Sequence, residues 1–461
     1  MGLRSAARWV PLVASGLTAV ACATGGGGGK SLSAGATGGA SPSGGNMSQA
    51  SLSGSQASSP GLLGGAGASD AMVGGDACQH LTVQFLPRIP LVFVLVDSSG
   101  SMFDKTQGTD GGMTDEWTPL RTATLSVIAN LESQVDFGFG AYGSNGSTTL
   151  YTPADYAAHL CGILPDTYVP IQPNNSAIAT TYAGIADTQP YSKTNTPAEI
   201  ALGQAANYLV QAATAQADAG GGTLPGGKYI LLVTDGETDF CDDGNALCPA
   251  DAVTAEIQSL YAQGIQTLVL GLPSDISTIS PEALQAFANA GAGVAPVAPP
   301  ANGAGGPPAL PLTIYQQCDG VLGWANLYAK GPNTADTGNN GTSLATYASA
   351  DASVMNATLF SPNSLNVTDL TNEITTALAT VKSCSFDLQG SIQVDVSDAG
   401  EGRVTIDGTN IPYVGDSGTD GWMMSSATEL DLVGAACATW RSTGKNISFD
   451  FPCDVLSPLP R

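Results

Sequence analysis

The sequence predicts an α/β fold: a doubly wound, mostly parallel sheet flanked by helices, with a small antiparallel β unit at its C-terminal end. Three observations point there. Leu91 to Val96, Tyr229 to Val233 and Ile265 to Gly271 are largely apolar runs without alternation, the pattern of strands covered on both faces. Helix-patterned segments lie between them, and strand–helix alternation builds right-handed crossovers and a parallel sheet. After residue 384 the pattern turns to alternation, in Ile392 to Val396, Arg403 to Ile406, Ile411 to Val414 and Ile447 to Phe451, with Asp407-Gly408 as a hairpin signal.

Residues 1–21 read as a targeting segment. Arg4 and Arg8 precede an apolar stretch, Trp9 to Ala21, that is too short for a membrane span. Its end, Thr18-Ala19-Val20-Ala21-Cys22, resembles a bacterial lipobox. That implies a lipid on Cys22 and an exported protein at the outer membrane or cell surface. Ordinary cleavage after Ala21 or Ala23 would instead leave a periplasmic or secreted protein. Residues 22–75 are Gly, Ser and Ala with almost nothing to bury, so they read as a disordered tether. Such a tether spans about 40 Å root-mean-square.

The chain carries 39 acidic and 14 basic residues, a net charge of −25. Nucleic acid and anionic lipid would be repelled, whereas cations would be attracted, and the bulk of the acidity serves solubility. There are nine cysteines. With Cys22 lipidated an even number remains, suited to disulfides in an oxidising compartment. No C-x-x-C pair occurs, and His80 and His159 are the only imidazoles, which argues against zinc.

Folded structure is expected from residue 78. Leu81 to Phe85 reads as a short strand ahead of the first buried one. Phe103 to Glu116 is a Gly- and Asp-rich loop, and Thr118-Pro119 opens a helix with Leu125, Ile128 and Leu131 as its stripe. Val135 to Ala141 is the next strand. Residues 144–192 read as an ordered loop insertion containing Cys161. Lys193 to Ile200 opens a helix that buries Ala201, Ala205, Leu209 and Ala212. A helix from Pro249 presents Val253, Ile257 and Leu260, and Glu282 to Ala290 is a short one. A second insertion, 291–356, is rich in Pro, Gly and Asn and holds Cys318. The last helix, from Asp369, presents Leu370, Ile374, Leu378 and Val381, with Cys384 directly behind it.

The chemistry-bearing residues sit where the buried runs end. Asp97-Ser98-Ser99-Gly100-Ser101 follows the first run at once, with one carboxylate and two hydroxyls at D-x-S-x-S spacing. The carboxyl ends of central strands are where α/β sheets bind ligands. Thr194-Asn195-Thr196 stands ahead of a helix, and Thr234-Asp235-Gly236-Glu237 ends the second run. These pieces, in this order, resemble the three parts of the metal-ion-dependent adhesion site of von Willebrand factor A domains, over residues 78–384 with gaps. The resemblance implies that fold and a ligand set of Asp97, Ser99, Ser101, Thr194 and Asp235, with Asp235 acting through water. All five are hard oxygen donors, the set for Mg²⁺ first and for Mn²⁺ or Ca²⁺ after it.

Two carboxylates leave such an ion incompletely neutralised and attractive to an outside carboxylate. The resemblance therefore implies a cation-dependent binding module on the cell envelope, recognising a protein that presents Asp or Glu. The lipid on Cys22 would be its one membrane contact, and nucleic acid is not a partner. The alternative is an envelope scaffold whose metal is structural or absent. No nucleophile–base pair is evident, so an enzyme is not expected. The first strand and last helix of that fold end close together, which implies a Cys78–Cys384 bridge. Cys241 and Cys248 bracket a short loop and can pair locally. Cys437–Cys453 would close the β unit, which leaves Cys161 and Cys318.

Overall fold

A computed structural model describes residues 81–82, 84–104, 106–107, 113–144, 161–173, 175–186, 195–218, 226–236, 238–240, 247–273, 281–299, 343–349, 355–388, 392–415, 418–442, 444 and 446–459. Residues 1–75 with Cys22, and also Cys78, Thr194, Cys241 and Cys318, lie outside the described residues.

In chain order, β1 (Leu81–Thr82) and β2 (Phe85–Pro87) precede β3 (Leu91–Asp97). A short hairpin, β4 (Thr106–Gln107) and β5 (Met113–Thr114), leads into α1 (Trp117–Leu131). Then come β6 (Asp136–Ser144), β7 (Cys161–Ile163), β8 (Val169–Gln172) and α2 (Ser176–Gly184). α3 (Ala198–Asp218), β9 (Lys228–Thr234), α4 (Leu247–Ala262), β10 (Ile265–Gly271), α5 (Pro281–Gly291) and α6 (Val367–Ala379) follow. The remainder begins with β11 (Ser385–Leu388), β12 (Ile392–Val394), β13 (Arg403–Ile406) and β14 (Thr409–Ile411). It ends with β15 (Gly421–Ser426), β16 (Glu429–Val433), α7 (Gly434–Ser442), β17 (Ile447–Phe451) and β18 (Leu456–Pro458).

The main sheet has six strands in the order β10-β9-β3-β6-β7, with β8 also paired to β6. β10, β9, β3 and β6 run parallel, so β3 lies in the middle with a parallel partner on each side. Its residues alternate between two cores. Val92, Val94 and Val96 pack with Leu120 and Val127 of α1 and Ile374 and Leu378 of α6. Leu91, Phe93 and Leu95 pack on the opposite face with Leu202, Leu209, Ile257 and Phe287. Burial on both faces is why the run does not alternate. Among the described residues no helix is long and apolar enough to cross a membrane.

Several local expectations change. Residues 161–163, 169–172 and 176–184 of the first insertion are strand and helix, not loop. β7 and β8 extend the sheet antiparallel to β6, and α2 buries Ile178 and Tyr182 in the α1-side core. Strands of three and four residues carry too little periodicity to be read from sequence. Gly140 lets them approach, because a Cβ there would lie 2.8 Å from Ile163 Cγ2. α1 begins at Trp117, capped by Asp115, whose Oδ1 accepts from Thr118 N at 2.6 Å. Its buried stripe runs through Leu120, Val127 and Ile128, while Leu125 and Leu131 are half-buried. The exit of the second insertion is held by Asp251, whose carboxylate accepts from Ser343 Oγ, Leu344 N and Ala345 N.

The β unit is larger than its C-terminal segment. It comprises two four-stranded sheets, β1-β17-β13-β14 and β15-β16-β11-β2, around a third core. β1 pairs with β17 and β2 with β11, so residues 81–87 belong with the tail and not with the doubly wound domain. This moves the boundary expected at 78 and 385. The doubly wound domain is inserted between two parts of one β unit. Phe85 fills the centre, with its ring centroid 4.9 Å from Phe449 and 6.0 Å from Phe451. The Asp407-Gly408 turn does connect β13 to β14, with φ of 47° and 81°.

The disulfides also differ. Cys384 pairs with Cys437, which excludes both Cys78–Cys384 and Cys437–Cys453. The physical reason is α7, unforeseen in the sequence, which packs beside the exit of α6. Trp440 Nε1 donates to Ser383 O, and Arg441 Nε donates to Lys382 O, both at 2.9 Å. Lys382 Nζ answers with bonds to Trp440 O and Gly444 O, both at 3.1 Å. Cys161, Cys248 and Cys453 are disulfide-bonded as well. On the other connection Arg88 bridges Asp387 at 3.1 Å and Glu429 at 2.9 Å.

Truncating Phe85 tests the split β unit. Phe85→Ala should destabilise the protein by about 3 kcal/mol in denaturant unfolding, as for a buried phenylalanine. A tail that folds without residues 81–87 would show little change.

Candidate metal centre

β3 delivers Asp97 to the carboxyl end of the sheet, opposite Tyr142 in the register with β6, while β9 ends beside it at Thr234. Asp97 is fully buried, and Ser98, Ser99, Thr234 and Asp235 are each no more than 3% exposed. Three donors hold the Asp97 carboxylate. Oδ1 accepts from Ser99 N at 2.8 Å, and Oδ2 accepts from Thr234 Oγ1 at 2.9 Å and Tyr142 OH at 3.3 Å. Thr234 Oγ1 in turn accepts from Gly236 N at 3.1 Å, where φ is 121°, a left-handed turn suited to glycine. Ser98 N and Oγ both donate to Tyr142 O, at 2.9 and 2.8 Å, pinning the serine turn to β6.

Of the expected ligands, Asp97, Ser99, Ser101 and Asp235 gather at this corner. Thr194 lies outside the described residues, but its neighbours are tied to the same edge. Asn195 Nδ2 donates to Phe240 O at 3.1 Å, Ser144 Oγ donates to Asn195 Oδ1 at 3.4 Å, and Asp239 N donates to Thr196 O at 3.2 Å. The loops after β3 and β9 and the one before α3 are thereby stitched together at one end of the sheet.

Burial pushes the Asp97 carboxyl well above the usual carboxylate range, and the Asp235 charge pushes it further. Hydrogen bonds from Ser99 and Thr234 oppose this without cancelling it. Burial, and then the Asp97 charge, raises the Tyr142 phenol too, so it stays a proton donor. Two acids in a dry corner need either a shared proton or a cation.

Among the described residues no three His, Cys, Asp or Glu side chains converge as a metal cluster. The donor set is instead two carboxylates and hydroxyls, which suits a hard divalent ion and not a soft one. Ser99 Oγ and Ser101 Oγ are hydrogen-bonded to each other, 3.0 Å apart. That equals the edge between adjacent ligands of an octahedron of radius about 2.1 Å, the Mg²⁺–oxygen distance. The residues fit such an ion.

Sequence reading missed Tyr142 and Thr234. Thr234 was in view within the T-D-G-E segment as a strand residue only. Nothing in the local pattern marks Tyr142, which reaches Asp97 through strand pairing alone.

No protein-family model matches the chain, and no curated protein does. Solved structures with detectable similarity include the pilus adhesin SpaC from Lactobacillus rhamnosus GG, at 14% identity and TM-score 0.35, covering 82% of this chain and 41% of that one. Another is proximal thread matrix protein 1 from the mussel byssus, with a zinc-occupied MIDAS motif, at 12% identity and TM-score 0.25, covering 41% and 39%. A third is the SpRpn10 VWA domain, at 10% identity and TM-score 0.26, covering 44% and 82%. The chain thus spans about two-fifths of the length of the first two. At such values the centre rests on its own geometry.

The raised Asp97 gives a signed prediction. A carboxyl whose pKa is higher folded than unfolded costs stability as pH rises above the unfolded value of about 3.9. In chelator, Asp97→Asn should therefore unfold at a higher temperature than the parent at pH 7, and the gap should close toward pH 4. A variant less stable at pH 7 would mean that the charge is needed without metal.

Proposed function

We propose that the protein is a divalent-cation-dependent binding module, in which Asp97, Ser99, Ser101, Thr194 and Asp235 hold Mg²⁺, or Mn²⁺ or Ca²⁺, and the ion takes an Asp or Glu carboxylate of a protein partner. One observation carries the reading: two buried acids, Asp97 and Asp235, meet beside the hydroxyls of Ser99 and Ser101. The ion supplies a Lewis-acidic position for an anionic oxygen. The chain's own residues supply the rest. Ser99 and Ser101 present hydroxyls, Asp97 and Asp235 provide charge, and Thr234 and Ser98 fix the turns. With Asp235 acting through water, the neutral hydroxyls leave the ion an incompletely satisfied position for a partner's carboxylate.

The reading is of binding, not catalysis. It places the module on the cell envelope of the exporting cell, tethered by a lipid on Cys22, with no nucleic-acid partner. These parts are supported by the sequence alone. One observation favours the alternative, an envelope scaffold with a structural ion or none: Asp97 already has three protein donors.

Thermal unfolding separates the cases. With Mg²⁺ at about a hundredfold excess over its Kd, a native-state site adds about 2.7 kcal/mol. That rise should vanish in chelator and in Asp97→Ala and Asp235→Ala. Binding to carboxylate-bearing surfaces should vanish with it. A chain that holds its partners in chelator is the scaffold, and one that shows no shift at millimolar metal has no such centre.

A further inference from the structure

We infer that Cys78 and Cys453 form a disulfide that ties the first strand of the β unit covalently to its tail. Cys453 is disulfide-bonded, and Cys78 lies outside the described residues. The partner of Cys453 follows from strand register and from elimination, and neither rests on the metal centre.

β1 pairs antiparallel with β17, with Leu81 opposite Phe451 and Thr82 opposite Asp450. Each step back from Leu81 is matched by a step beyond Phe451. The same register carries Gln79 to the position opposite Cys453, with Cys78 next to it in the chain. Opposed residues of an antiparallel pair have Cα atoms about 4.5–5.5 Å apart, inside the window of roughly 4.4–6.8 Å that a disulfide bridges. Pro452 ends the ladder and Cys453 opens a 3₁₀ turn. Strict alternation of faces stops there, so a cysteine one residue out of register comes within reach.

Elimination gives the same partner. Cys384 and Cys437 are bonded to each other. Cys161 and Cys248 are bonded too, but both are fully buried in the doubly wound domain, Cys161 opposite Ser144 at the carboxyl end of its sheet. Cys241 follows Phe240, whose carbonyl accepts from Asn195 at that same end. The seven residues of β3 separate that end from the β unit, about 20 Å, which no disulfide crosses. Cys318 belongs to the second insertion, whose exit is held by Asp251 and Gln258 of α4. Cys241 and Cys318 thus serve Cys161 and Cys248. The count then closes: of nine cysteines, eight pair, and Cys22 alone is left for a lipid.

The bond has a mechanical consequence. β1 has two residues and β2 three, so ladder hydrogen bonds alone hold this edge weakly. Forming the bond joins the two sulfurs and passes two electrons and two protons to a disulfide-form oxidant of the compartment, which leaves as a dithiol. A pull on the N-terminal segment then enters the tail through the sulfurs as well as β3 through the peptide chain. The Cys384–Cys437 bond closes the other seam.

The test is tryptic mapping of the full chain, isolated without reductant and with free thiols blocked. Cleavage after Lys30, Arg88 and Lys445 releases Cys78 in residues 31–88 and Cys453 in residues 446–461. The expected result is one linked species of these two peptides, which separates on reduction with a gain of two hydrogens. Cys453 linked instead to residues 229–330, which carry Cys318, or to the peptide of Cys22 that ends at Lys30, overturns the assignment. Cys78 recovered as a blocked thiol overturns it equally. Thermal unfolding supplies a second check. Cys78→Ser and Cys453→Ser should each lower the midpoint, and the double variant no further than the lower single, because all three lose the same bond. Additive losses would contradict the pairing.

Discussion

The Asp97 carboxylate is the constraint on which the rest of this structure depends. It terminates the most deeply buried strand, sits in contact with no bulk water, and stands beside a second acid. A charge in that position is tolerable only because hydrogen-bond donors from the turn after β3, from β6 and from β9 converge on it. Those same bonds fasten three strand ends together. The cost of the buried charge and the order of the loops are therefore one fact seen from two sides. A divalent cation would complete the arrangement, since it neutralises both acids at once without a shared proton.

Around that corner the architecture is a domain within a domain. The doubly wound sheet enters after β2 and leaves before β11, strands that pair with each other in the β unit. Both covalent connections are braced. Arg88 spans to Asp387 and Glu429 on one, and Lys382, Arg441, Trp440 and the Cys384–Cys437 disulfide lock the other. Three of the few basic residues in an acidic chain are placed here, which is where the charge is most useful.

Much of this was legible because it follows from runs of consecutive residues. Leu91 to Val96 is apolar throughout because each face of β3 meets its own core, and Leu370, Ile374 and Leu378 keep a helical spacing because α6 covers one of those faces. D-x-S-x-S and T-D-G-E were visible because each is contiguous. What stayed hidden depends on long-range pairing. β2 has three residues and a partner near Asp387, so Phe85 gave no sign of belonging to the tail. α7 is short and rich in Ala, and without it Cys437 had no reason to face Cys384. Tyr142 acts on Asp97 through register, which no local pattern encodes.

The most direct measurement is an anomalous difference map from crystals of the full chain soaked in Mn²⁺. The account predicts one strong peak at the corner bounded by the Ser99 and Ser101 hydroxyls and the acids Asp97 and Asp235, absent after chelation. A map with no peak there, and with Asp97 and Asp235 close enough to share a proton, would contradict it.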